Sequence, residues 1–147
     1  MSQNNLFAVT LGGLVINDSG EFLLIRKADT GKYTFPSAEL THVDGQMWEV
    51  MEDQVAKLVF AQTGVEIADG PIPFTDQAFI GKGGFESLMQ FFIGRYRFGK
   101  IKIGDPAQIS EIVWKKLADF DTDTFLPVEM LVFEKADKFL KSLKGNI

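Results

Sequence analysis

The chain has 147 residues, 46% of them apolar with fourteen phenylalanines, which suits one domain with a sizeable core and excludes extensive disorder. It contains no cysteine, which excludes disulfides, thiolate metal sites and a cysteine nucleophile, and its formal charge of −5 argues against a nucleic-acid partner, because phosphate binding needs clustered Lys and Arg. The opening Met1-Ser-Gln-Asn-Asn resembles no signal peptide and no apolar run approaches the ~20 residues of a membrane span, so the expectation is a single cytoplasmic domain over residues 1–147 with no membrane partner.

Residues 6–16 are rich in β-branched and apolar side chains and predict a strand, with Gly12-Gly13 marking a bulge. Asp18-Ser19-Gly20 is a turn signal, and residues 21–27 return as a second strand. Residues 28–45 read as irregular, punctuated by Gly31, Pro36 and Gly45. Then Met47, Met51, Val55, Leu58 and Val59 recur at three- and four-residue spacing, which predicts a helix over residues 47–63. Asp44 suits its N-cap and Gly64 its stop. Residues 74–80 and 85–98 predict strands joined by the glycine cluster at 81–84, a hairpin rather than a phosphate cradle, since no helix or P-loop lysine pattern follows. Short strands are expected at 101–103 and 111–114, separated by the break Gly104-Asp105-Pro106. Residues 127–143 predict an amphipathic helix with Val128, Leu131, Val132, Phe139, Leu140 and Leu143 on its apolar side. This order of elements describes a mixed α+β domain.

Several pieces resemble, in order and spacing, the Nudix (MutT-like) hydrolase family. Gly20-Glu-Phe-Leu-Leu-Ile-Arg-Lys27 resembles its second strand, and Gly31-Lys-Tyr-Thr-Phe-Pro36 its G-x-W-x-x-P segment with Tyr33 in place of Trp. Gln62-Thr-Gly-Val65 resembles the end of its box helix, E-x-G-U with U a bulky aliphatic, and Glu111-Ile-Val-Trp-Lys115 its late strand. The resemblance implies a Nudix fold, a mixed sheet sandwiched by a box helix and a C-terminal helix. It also implies a box helix whose glutamates hold divalent Mg or Mn against a pyrophosphate, where the metal lowers the pKa of a bound water and neutralises charge on the phosphate.

Fixing the last glycine of the box on Gly64 puts Glu49 at its first glutamate and Lys57 at its arginine. Leu58, Ala61 and Gln62 then stand where the other three glutamates belong, and Ser37-Ala38 replaces two glycines. Positions i, i+3 and i+4 share a helix face, which is why glutamates at this spacing bind one cation. Leu and Ala have no ligand atom, and Gln offers one neutral oxygen. At about 100° per residue, Glu49, Glu52 and Asp53 point away from Leu58, as a solvated face does. The metal triad is therefore expected to be lost, and the chain to be a non-catalytic, nucleotide-like ligand-binding or regulatory module. The competing reading is a Mg- or Mn-dependent hydrolase of nucleoside diphosphate derivatives with a displaced metal site, for which Glu49, Glu52 and Glu111 are the catalytic candidates.

Arg26, Tyr33, Phe35, Glu39 and Glu86 are the candidate ligand-binding residues: a cation for phosphate, two rings for stacking, two carboxylates for hydrogen bonds. His42 stands alone in the segment 39–47, which is longer than the family pattern. Arg95 and Arg97 share one strand face. The apolar terminal helix offers a surface for a homodimer.

Overall fold

The ten-residue run Phe7–Ile16 forms strand β1, the axis of the sheet. The computed structural model describes residues 7–42, 44–80 and 86–145, so the glycine cluster at 81–84 lies outside the described residues. Along one edge β1 runs parallel to β7 (Glu86–Phe98), in unbroken register from Phe7↔Glu86 to Ile16↔Arg95. Its other edge is shared by β4 (Ser37–Glu39), paired at Thr10↔Glu39, and by β2 (Phe22–Lys27), paired at Ile16↔Phe22. Strand β2 in turn carries β3 (Tyr33–Thr34) and β8 (Ile109–Lys115), while β7 carries β5 (Glu66–Ile67) and β6 (Ile72–Ile80).

Strand alternation divides the core in two. Leu11, Val15, Leu23 and Ile25 face helix α1 (Val50–Thr63) with Val55, Leu58 and Val59. Leu14, Phe22, Leu24, Phe91 and Ile93 face helix α2 (Pro127–Gly145) with Val132, Phe133 and Ala136. Each fully buried Val or Leu contributes roughly 1.5–3 kcal/mol, so both helices are held mainly by this burial. The architecture is the expected α+β one, a mixed sheet between two helices.

The glycine pair in β1 makes no bulge, because its pairing with β7 continues through both residues. The glycines serve packing instead. A Cβ on Gly12 would lie 2.7 Å from the Phe91 ring, and one on Gly13 would lie 2.9 Å from Val59. Their bare backbone lets a ring approach from one face and a helix from the other.

Helix α1 begins later than the apolar spacing predicts. Glu49 has φ 57° and ψ 28°, a left-handed conformation that cannot continue a right-handed helix backwards. Asp44 is consequently no N-cap, and Met47 lies outside the helix with 82% of its surface exposed. The other end is as expected: Gly64 at φ 76° donates its N–H to the Phe60 carbonyl at 2.9 Å. Residues 101–103 are not a strand. They cross the end of α1, where Lys102 N–H donates to the Thr63 carbonyl at 2.8 Å and Gly104 N–H to that of Gln62 at 3.2 Å. Those carbonyls have no partner within the helix, so the segment is recruited as its cap.

The buried face of α2 is also rotated from the expected one. Phe133 and Ala136 are fully buried, whereas Val128, Leu131 and Leu143 are exposed. Among the described residues, no helix is long and apolar enough to cross a membrane.

Candidate functional site

Leu58, Ala61 and Gln62, the three positions the resemblance assigns to glutamates, differ in what surrounds them. Leu58 is 7% exposed and packs in the core between α1 and the sheet, so this direction points inward rather than at a ligand. Ala61 presents a methyl group at the surface. Gln62 is half-buried, and its Nε2 donates to the Ser37 carbonyl at 2.7 Å. Pairing of β4 with β1, at Gly12↔Ser37, and a bond from Gly13 N–H to the Pro36 carbonyl at 2.9 Å hold that carbonyl in place.

This arrangement does not fit a hard divalent cation. Such an ion needs several oxygens, most of them anionic, converging at about 2.1 Å. Here a neutral amide N–H occupies the carbonyl oxygen that faces the helix, and the other two positions bring no donor atom. Among the described residues, no three His, Asp or Glu side chains gather elsewhere as a metal would require. Glu49 is exposed at the left-handed residue before α1, and Glu52 is half-buried in the first turn. Lys57 is exposed on the solvent side of the helix.

A cleft of about 380 Å³ opens beside the start of α1. Ala8, Val9, Leu40 and Val50 form its apolar walls, and Glu39, Thr41, His42 and Gln46 its polar ones. The segment after β4 supplies Leu40, Thr41, His42 and Gln46 to this lining. Two glutamines fix that segment to α1. Gln54 accepts from Thr41 N–H at 2.9 Å and donates to the Thr41 carbonyl at 2.6 Å. Gln46 Nε2 donates to the Trp48 carbonyl at 3.0 Å and to Asp53 Oδ2 at 2.8 Å. Trp48 is 80% exposed beside it. His42 Nε2 bonds to Asp44 at 2.7 Å in solvent. With one carboxylate and no Lys or Arg among its described lining residues, the cleft can hold a small molecule of mixed polarity through hydrogen bonds and apolar contact. It has no side-chain cation to neutralise a diphosphate.

The sheet face toward α2 assembles three other candidates. Arg26 and Glu111 are cross-strand partners on β2 and β8, and Tyr33 donates its hydroxyl to the Glu111 carboxylate. The Arg26 guanidinium lies 5.5 Å from the Tyr33 ring centroid and donates through Nε to the Gly31 carbonyl at 3.0 Å. The bond to Glu111, then burial, holds the Tyr33 phenol above its ordinary pKa, against the opposing pull of Arg26. These groups satisfy one another and clamp β3 to β2 and β8.

Phe35 lies apart from this cluster in the core, 3% exposed, with its ring against Phe91 and Phe133 and no face free for a ligand. Glu86 opens β7, and its side chain lies outside those described. Arg95 and Arg97 are exposed at the far end of the same strand. The candidates thus fall in separate places: Glu39 in the cleft, Arg26, Tyr33 and Glu111 in the clamp, Phe35 in the core. Sequence reasoning passed over Gln46 and Gln54, because neutral side chains in an irregular segment carry no periodic signal. It also passed over Glu129, which sits in the first turn of α2 with Oε2 buried and without a hydrogen-bond partner among the described residues. Burial raises its pKa, although Thr34 and Lys27 pull it down.

No protein-family model matches the chain, and no curated protein matches it by sequence. Its fold has clear counterparts among solved structures. A MutT Nudix hydrolase from Burkholderia pseudomallei superposes with a TM-score of 0.72 at 15% identity, covering 88% of this chain and 98% of that one. A MutT protein from Methanosarcina mazei Go1 gives 0.71 at 21%, covering 95% and 99%. The Nudix domain of Shewanella oneidensis NrtR, solved with ADP ribose, gives 0.70 at 17%, covering 92% and 89%. The fold is the Nudix fold.

Proposed function

We propose that this Nudix-fold chain is a non-catalytic module that binds a nucleotide-like small molecule or serves a regulatory contact. The observation that carries this reading is the bond from Gln62 to the Ser37 carbonyl. An amide donor there stabilises the loop without any cation, whereas a glutamate would place two oxygens against each other and need a metal between them. Leu58 in the core and Ala61 at the surface leave nothing to complete a ligand set. Fold alone does not fix activity, so the donor set at the site outweighs the hydrolases that share the architecture. The cleft beside α1 is the seat we assign to the ligand, with Glu39 and Gln46 as hydrogen-bonding groups and Val9 and Val50 as apolar wall. A nucleoside fits its lining better than a phosphate chain does.

The test is phosphate release from a panel of nucleoside diphosphate and triphosphate derivatives with Mg²⁺, then Mn²⁺, in the presence of a coupling phosphatase, paired with thermal stabilisation by the same compounds and by the unphosphorylated nucleosides. The expected result is no turnover, with stabilisation by one compound that Glu39→Ala weakens. Turnover abolished by chelator and by Glu49→Gln or Glu52→Gln would overturn the reading and establish a displaced metal site.

A further inference from the structure

The net charge of −5 is an average that conceals a local excess of cations. Arg95, Arg97, Lys100 and Lys102 lie within eight residues containing no acid, and all four are exposed. None forms an ion pair among the described residues, where the pairs are His42–Asp44 and Lys141–Asp137. Between them stand two exposed rings, Tyr96 at 37% and Phe98 at 51%.

The topology explains this exposure. Strand β1 ends at Ile16, opposite Arg95, so residues 96–98 of β7 run past the centre of the sheet with only the two-residue β5 beside them. Alternation puts the arginines on one face and the rings on the other. The Arg97 guanidinium reaches back to 5.4 Å from the Phe98 ring centroid, so charge and ring meet at the strand edge. Tyr96 is fixed edge-on to Trp114 at 5.5 Å, and its hydroxyl donates to the Gly99 carbonyl at 2.9 Å. The backbone at Lys102 caps α1, where positive charge complements the helix end, so a structural role accounts in part for Lys100 and Lys102. It does not account for Arg95, Arg97 or the exposed ring of Phe98. Glu66 stands opposite Phe98 in β5, and the four cations set the ceiling of four phosphate contacts.

We propose that residues 95–102 form a binding strip for single-stranded nucleic acid, independently of the ligand reading of the cleft. The chemistry selects this partner. Phosphates meet the four cations, and an unpaired base supplies the flat surface that Phe98 can stack on. An acidic peptide or a lipid headgroup answers the charge and leaves the ring unused. The acidity of the rest of the chain confines contact to the strip, because a strand laid elsewhere is repelled.

Fluorescence anisotropy of labelled oligo(dT) and oligo(U) with the full chain tests this. Four phosphate contacts give a log–log salt slope of about −2.8, so affinity falls roughly 50-fold between about 50 and 200 mM salt. Arg95→Ala/Arg97→Ala halves that slope, to about −1.4. Phe98→Ala weakens binding roughly tenfold at an unchanged slope, and Phe98→Trp restores it. Lys135→Ala/Lys138→Ala on α2 changes nothing. Absence of binding at low salt overturns the proposal, as does affinity that survives the arginine variant. Binding that Phe98→Ala leaves intact and heparin matches would show a general polyanion surface, and the nucleic-acid proposal would fall.

Discussion

Replacing Gln62 by Glu changes one atom type at a position where the family resemblance places a metal-binding glutamate. Nε2 now donates to the Ser37 carbonyl at 2.7 Å in a half-buried setting. Gln62→Ala removes the bond and leaves the carbonyl without its donor, which costs about 1 kcal/mol. Gln62→Glu also turns a carboxylate oxygen toward that carbonyl, and with its partial desolvation the cost is about 2–3 kcal/mol. For a domain of this size such a loss lowers Tm by roughly 5–10 °C. Thermal denaturation of the two variants beside the parent measures it, with the order parent, Ala, Glu from most to least stable. Acidification narrows the gap for the Glu variant, because a protonated carboxyl can again donate to Ser37. A divalent cation restores little on its own, since one carboxylate and one carbonyl are too few oxygens. Adding Ala61→Glu supplies a second anionic ligand without disturbing the core. Cation binding then raises stability by about 2.7 kcal/mol at a hundredfold excess over Kd. Leu58→Glu is no part of this test, because it would bury a charge against Val55 and the sheet. A Gln62→Glu protein as stable as the parent without metal would refute the reasoning, for the bond to Ser37 would then hold nothing.

Two further outcomes follow from the ionisable groups near α2 and β3. Glu129 has its folded pKa raised by burial, so its ionised form costs stability above the unfolded carboxylate pKa, and the cost disappears as pH falls below that value. Glu129→Gln is therefore expected to stabilise the protein at neutral pH and to lose that advantage in acid, as melting curves across pH will show. Tyr33 is one of two tyrosines, and its hydrogen bond to Glu111 delays its ionisation. Ultraviolet titration should show one phenol ionising late, and Glu111→Gln should bring it back toward the ordinary range by removing the carboxylate charge that its hydroxyl donates to.

The elements whose signals are periodic or local were legible in advance. The β1–β2 turn, the long strand β7, the stop at Gly64 and the terminal helix depend on side-chain alternation, helical spacing or a glycine at positive φ, all of which a linear sequence displays. Strands β3, β4 and β5 were not legible, because two or three residues are too few for a period, and they exist only where a longer strand offers its edge. The segment 101–103 carried a strand-like composition, yet the unpaired carbonyls at the end of α1 claimed the N–H groups of Lys102 and of Gly104 just after it.

The same division holds at the site. The sequence alone determined that Leu58, Ala61 and Gln62 cannot supply carboxylates, since ligand chemistry is a property of residue type. It also grouped Arg95 with Arg97, since two residues apart on a strand means one face. Only the tertiary structure decided that Gln62 satisfies Ser37, that Phe35 is core while Tyr33 meets Glu111, and that the segment after β4 walls a cleft. Each of these depends on groups far apart in the chain arriving at the same place, and composition or spacing along the chain does not encode which groups will meet.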